Sequence, residues 1–163
     1  MEIPGNLKLD FIVRPNDPKF IREMVKESSV FNSSEVEIAG ELAEAVLSGS
    51  DTSYHFVFLR DKEDRPWAYA CYGEIPMTDK RYDLYWIVVS PKYQKSGLAS
   101  IVLENTLKDV SKRNGVIIYA ETSGTTAYAP ARAFYLKKGF QQVACYPHFY
   151  REGDDKIVFS KHL

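Results

Sequence analysis

The sequence predicts a single α/β (α+β) domain, a mixed and twisted sheet of about seven strands flanked by four helices. Three observations carry that prediction. Seven segments alternate or run apolar in the manner of strands, four show helical apolar spacing with recognisable ends, and the passage from Asp83 to Glu121 reads as strand, long helix, strand. The chain has 163 residues, 45% of them apolar and 26% charged, which suffices for one sizeable core, and no repeat or low-complexity linker divides it.

The elements follow in order. Leu7 to Val13 alternates as a first strand. Asp17-Pro18 opens a helix, with Asp17 as N-cap, Pro18 in the first turn and an apolar stripe of Ile21, Met24 and Val25. A second helix starts at Ser34, which stands at capping-box spacing from Glu37. Ala39, Leu42, Ala43 and Val46 form its buried stripe, and Gly49 ends it. Tyr54 to Leu59 and Trp67 to Ile75 form a hairpin around the charged turn Asp61 to Asp64. Tyr82 to Val89 is the next strand, stopped by Pro91. From Gly97 to Asn114 runs a helix apolar on more than one side, ended by Gly115, and Val116 to Ala120 is a buried strand. Pro130 to Lys138 is a short helix closed by Gly139, and Phe140 to Tyr146 and Ile157 to Ser160 are the closing strands.

Composition removes several functional classes. The 21 basic and 22 acidic residues leave a net charge of −1 with no long Lys/Arg run, so a nucleic-acid partner held by phosphate neutralisation is not expected. No apolar stretch approaches the roughly 20 residues that span a bilayer, so no membrane partner is expected. Met1 to Asp10 has no charged region followed by an apolar one, so the expected location is cytoplasmic. Cys71 and Cys145 both stand in apolar surroundings and read as small core residues. His55, His148 and His162 are scattered without ligand partners, and no metal site is expected.

The segment Val89 to Ser100 joins a strand to the longest helix. Small residues at Ser96, Gly97, Ala99 and Ser100 let a bulky group approach the backbone, the helix N-terminus offers unpaired N–H groups, and Lys95 adds a positive charge. Those features suit a pyrophosphate; read from physics alone they also suit an ordinary strand–helix connection. Neither a Walker A loop nor a GxGxxG fingerprint is present.

Val89-x-Pro91-x-x-Gln94-x-x-Gly97-x-Ala99 resembles motif A of the GNAT superfamily of acetyl-CoA-dependent N-acetyltransferases, and Ala131-x-x-Phe134-Tyr135-x-x-x-Gly139-Phe140 resembles its motif B. Order and spacing agree, and the resemblance covers nearly the whole chain. It implies a V-shaped cleft between the fourth and fifth strands, splayed by a β-bulge, that takes the pantetheine arm of acetyl-CoA as co-substrate. The backbone of Ile87, Val88 and Val89 would then pair with pantetheine. The amides of Lys95, Ser96, Gly97, Leu98, Ala99 and Ser100 would hold the pyrophosphate, with Gln94 opening the loop. Ala131 would face the arm from the fourth helix, and Tyr128 stands where many members carry an Asn that contacts it.

Transfer to an amine needs a base, because a primary amine near pKa 10.4 arrives protonated. Asp83 and Glu121 are the two candidates, Asp83 through a relaying water. A backbone N–H around Val88 would receive the developing oxyanion, and Tyr135 would give a proton to the departing thiolate. The partners so implied are acetyl-CoA and an amine acceptor, and the family allows a homodimer. A non-catalytic acyl-CoA-binding regulatory module is the alternative. The polar segment Phe149 to Lys156 reads as a hairpin turn with Gly153 at its tight position.

Overall fold

The computed structural model describes residues 3–163; Met1 and Glu2, the first two residues of the segment Met1 to Asp10 that bears on a secretory leader, lie outside them. Among the described residues seven strands form one sheet: β1 (Lys8–Asp10), β2 (Tyr54–Arg60), β3 (Pro66–Glu74), β4 (Arg81–Val89), β5 (Ile117–Ser123), β6 (Gln141–Arg151) and β7 (Asp154–His162), in the order β1-β2-β3-β4-β5-β7-β6. The β4–β5 pair is parallel and the others are antiparallel. Four helices complete the fold: α1 (Asp17–Glu27), α2 (Ser33–Ser48), α3 (Leu98–Lys112) and α4 (Ala129–Lys137). The element order and the parallel crossover through α3 are those the sequence predicts.

Strands β2 and β3 read as continuous apolar runs because both of their faces are covered. Val57, Leu59, Ala68, Ala70 and Tyr72 point to a rear core with Leu98, Ile101 and Val102 of α3 and Tyr135 of α4. Phe56, Phe58, Tyr69 and Cys71 alternate to a front core with Ile21, Met24 and Val25 of α1 and Val36, Ala39 and Ala43 of α2. β4 shares this division at its two ends, but α1 and α2 do not extend over β5, β7 and β6, whose front face stays accessible.

Several element ends differ from expectation, each for a local reason. β1 stops at Asp10 because the Asp10 carboxylate accepts the Ile12 amide at 3.1 Å and turns the chain. α2 is capped two residues earlier than expected: Asn32 Oδ1 accepts the Glu35 amide and Glu35 Oε2 accepts the Asn32 amide, while Glu37 pairs with Arg22 at 2.9 Å. Gly49 closes α2 in the left-handed region at φ 72°. The closing strands are longer than expected, leaving only Glu152 and Gly153 in the turn, with Gly153 at φ 77°. Cys71 is buried, but Cys145 is exposed because β6 is the edge of the sheet.

Asp17 is not an N-cap. It is the first residue of α1, 1% exposed, and its carboxylate takes Arg60 in a two-pronged pair at 2.6 and 2.7 Å while accepting the Arg14 amide at 2.6 Å. Arg60, fully buried, gives its remaining donors to Asp10 at 2.8 Å and to the carbonyls of Ile12 and Asp64. All five guanidinium N–H groups thus have an acceptor, which is the condition under which a buried charge is tolerated. The cluster ties the start of α1 to the end of β2. Asp17→Ala leaves Arg60 buried without its principal partner and should cost about 3–5 kcal/mol, read as a lower urea midpoint with an unchanged slope.

Candidate active site

The sheet opens between β4 and β5. Parallel pairing runs from Arg81–Ile117 to Leu84–Ala120 and stops there. At the same point the register between β3 and β4 shifts: Tyr72 faces Leu84 and Cys71 faces Trp86, so Tyr85 is an extra residue with no opposite number. This is the bulge and the V-shaped cleft that the resemblance implies. Beyond it, β4 continues along β3 and leaves its other edge open.

The direction of the backbone groups along that edge follows from the ladder. The Ser90 amide bonds the Trp67 carbonyl at 2.9 Å, which marks Ser90 as a hydrogen-bonded position against β3. Alternation makes Val88 and Trp86 bonded positions too and turns the N–H groups of Ile87 and Val89 toward the cleft. The Val88 amide itself faces Tyr69 across the β3 ladder, so around Val88 it is the two neighbouring amides that open onto the cleft.

Below the cleft the chain turns into α3. After the short helical turn Pro91–Tyr93, Lys95 and Gly97 both adopt left-handed φ, 61° and 85°. Gly97 is the N-cap of α3 and no side chain caps it. Ser96 and Ser100 spend their amides within the loop, on the carbonyls of Tyr93 and Gly97. Among the described residues, the amides of Lys95, Gly97, Leu98 and Ala99 make no such bond. Four donors at the positive end of a 15-residue helix fit a pyrophosphate. Of the loop residues singled out by sequence, those four carry the donors, while Gln94 and Ser96 shape the turn.

A cavity of about 600 Å³ adjoins the cleft. Ile87, Tyr128, Ala131, Tyr135 and Glu121, all named from the sequence, line it together, as do Phe31, Trp86, Tyr85 and Tyr150, which were not. Tyr135 is buried against Phe140 and Phe159, with ring centroids at 5.3 and 5.7 Å, and burial pushes its hydroxyl upward, so it stays a neutral donor. Tyr128 sits edge-on to Phe31, which is itself edge-on to Trp86. The Tyr128 hydroxyl is pushed up to about 12, by burial first and then by Glu35, Tyr150 and Asp154. The residue in the position of the family's Asn thus belongs to an aromatic wall that carries carboxylates around it.

Asp83 lines a second cavity, with Tyr119, Tyr146, Arg81 and Lys156, and Glu121 lines both. Asp83 is pushed up to about 6, first by burial and then by the charge of Glu121, with Lys156 opposing. Lys156, on β7, pairs with Glu121 at 2.6 Å and lies over the Phe149 ring at 4.5 Å. Sequence reading missed Lys156 because its approach to Glu121 is diagonal across β5–β7, where Glu121 faces Val158 and Ser123 faces Lys156, and that register has no local signal. Among the described residues no group of three His, Cys, Asp or Glu is placed to hold a metal ion, and no helix is long and apolar enough to cross a membrane.

A family model described as "Acetyltransferase (GNAT) family" matches residues 21–140. A crystal structure from Desulfovibrio desulfuricans, assigned to the GNAT family of acetyltransferases, is 40% identical, covers 96% of this chain and 98% of its own, and superposes with a TM-score of 0.90. An aminoglycoside 6'-N-acetyltransferase in complex with coenzyme A shares the fold at 17% identity, with 95% and 96% coverage and a TM-score of 0.74. An N-alpha-acetyltransferase of Sulfurisphaera tokodaii is 24% identical over 98 residues, 60% of this chain. The chain spans 58% of the length of that curated relative.

The raised Asp83 gives a stability test that does not depend on activity. A folded value near 6 against an ordinary 3.8 means that the folded chain holds the proton longer, so stability falls as pH rises from about 4 through about 6. Asp83→Asn should therefore raise the thermal midpoint at pH 8, and the gain should vanish at pH 4. Equal midpoints at both pH values would remove the buried, charge-crowded carboxyl.

Proposed function

This chain belongs to the acetyltransferase (GNAT) family, and on that footing we propose that it moves an acetyl group from acetyl-CoA to a primary amine, of a small molecule or of a peptide or protein, by direct attack in a ternary complex. The observation that carries the proposal is the coincidence of three features at one place: the divergence of β4 and β5 after Leu84–Ala120, the free amides at the head of α3, and a cavity holding both Tyr135 and Glu121.

Each group has a task that its surroundings support. The open-edge amides of Ile87 and Val89 are positioned for the thioester arm and for the oxyanion that forms during attack. The amides of Lys95, Gly97, Leu98 and Ala99 take the pyrophosphate. Glu121, facing the cavity from the front, accepts the amine's proton directly or through water, and Asp83 takes it onward; a carboxyl near 6 releases that proton again at neutral pH. Tyr135 donates to the sulfur as the C–S bond breaks.

The wall of Phe31, Trp86, Tyr128 and Tyr150 carries Glu35, Glu121 and Asp154 against one cation, Arg151, which pairs with Asp154 at 3.6 Å, and this acidic excess favours an acceptor that carries positive charge. The relatives' acceptors, as named, are an N-alpha amine and an aminoglycoside. Neither is carried over to this chain; the primary amine common to the two is what is proposed.

Calorimetric titration should give saturable binding of acetyl-CoA and none of ATP, and thiol release across an amine panel should give turnover. Binding without turnover on any amine would assign the non-catalytic acyl-CoA module instead. Tyr135→Phe should lower turnover by about a hundredfold while leaving acetyl-CoA affinity nearly unchanged; unchanged turnover would take Tyr135 out of the mechanism.

A further inference from the structure

Two buried side-chain oxygens among the described residues have no hydrogen-bond partner, Tyr69 Oη and Thr122 Oγ1. Tyr69 is packed into the front core beside Phe56 and Phe58 and lines neither cavity described above. Thr122 is different. It is 4% exposed, lies two residues beyond the last β4–β5 pair, and lines the cavity that also holds Ile87 and Tyr135. A hydroxyl buried without a partner is unfavourable, and a valine of the same shape would avoid the cost. An orphan hydroxyl at the point where the sheet opens has a simple account if its partner is a ligand.

The strand's alternation says on which side that ligand lies. Ile118 and Ala120 of β5 point into the rear core, so Thr122 points the same way and Glu121 the opposite way. Ala120 faces Phe159, whose ring touches the ring of Tyr135 at 5.7 Å. Thr122 therefore shares its face of the sheet with Tyr135, the group that faces the sulfur in the functional reading above, while Glu121 serves the amine from the front.

We propose that Thr122 Oγ1 donates a hydrogen bond to the sulfur of the thioester, beside Tyr135, an inference that rests on the acetyl-CoA reading. Insertion of the arm between β4 and β5 supplies the acceptor that the hydroxyl lacks. In the reaction the N–C bond forms and the C–S bond breaks, with its electron pair going to sulfur. The amine proton goes to the carboxylate side, and sulfur takes its proton from Tyr135. Thr122 moves no proton; its bond strengthens as charge builds on sulfur, and so it is stronger in the transition state than in the bound thioester.

The test is Thr122→Val against Thr122→Ser. Valine keeps the shape and removes the donor: turnover with a working amine should fall about tenfold, while the thermal midpoint stays level or rises. Serine keeps the donor and should hold turnover within about twofold of wild type. At pH 9, wild type should bind CoA more tightly than desulfo-CoA, and Thr122→Val should narrow that difference. A purely packing role gives the reverse pattern, with valine harmless and serine damaging, and would overturn the proposal, as would an unaltered preference for CoA over desulfo-CoA. Wild-type protein that binds no acetyl-CoA would remove the functional reading and this inference together; wild-type turnover with an indifferent Thr122→Val removes this inference alone.

Discussion

The parting of β4 from β5 after a single run of four residue pairs is the constraint on which the rest of the molecule depends. Backbone N–H and C=O groups in a sheet interior are ordinarily paired, because leaving them unpaired away from water is costly. Here the bulge at Tyr85 keeps β4 bound to β3 while its other edge leaves β5, so the amides of Ile87 and Val89 open onto a gap in the middle of a seven-stranded sheet. A continuous sheet would have paired those amides with β5. α3 must start directly below that gap, which is why the chain makes two left-handed turns, at Lys95 and Gly97, to enter the helix with its first amides facing outward and uncapped.

The period-2 geometry of strands then sorts the chemistry by face. On β5, Ala120 and Thr122 look to the rear and Glu121 to the front; on β4, Leu84 looks to the rear and Asp83 to the front. In the proposed reaction, thioester and amine would therefore be handled from opposite sides of one sheet, meeting only where the sheet is open. The front carboxylates would repel each other, and Lys156, fixed by the Phe149 ring and bonded to Glu121, offsets part of that repulsion. α1 and α2 pack on the front of β2, β3 and the end of β4, and Phe31 and Trp86 form the wall at which the cavity beside the cleft begins.

Local signals made much of this legible before any coordinates. The apolar runs of β2 and β3, the stripe of α1, Gly49, Gly97 and Gly139 each report a local backbone need, and the two motifs located the cleft, the loop and Tyr135. Features that depend on register were hidden. Asp17 looks like an N-cap until Arg60, 43 positions away, is seen bound to it. Cys145 and Cys71 have similar neighbours in sequence, and only strand order puts one at an edge and the other in the core. Lys156 and Thr122 carry no motif at all; the first is noticed by its diagonal approach to Glu121 and the second by its lack of a partner, and neither is a property of the local sequence.

Polar satisfaction is distributed unevenly among the described residues. At one end of the sheet Arg60 has all five donors matched by two carboxylates and two carbonyls, an arrangement that fixes α1 and has no spare capacity for a ligand. At the middle of the sheet the reverse holds: two strand amides turned to a gap, four loop amides without acceptors, one hydroxyl without a partner and one carboxyl held at a raised value. Any one of these could be an isolated imperfection of a natural fold. Together they border one opening of the sheet: the proposed ligand, with a diphosphate at one end and a thioester at the other, would satisfy the amides and the hydroxyl, while Asp83, which lines the second cavity on the front, would be left to the amine.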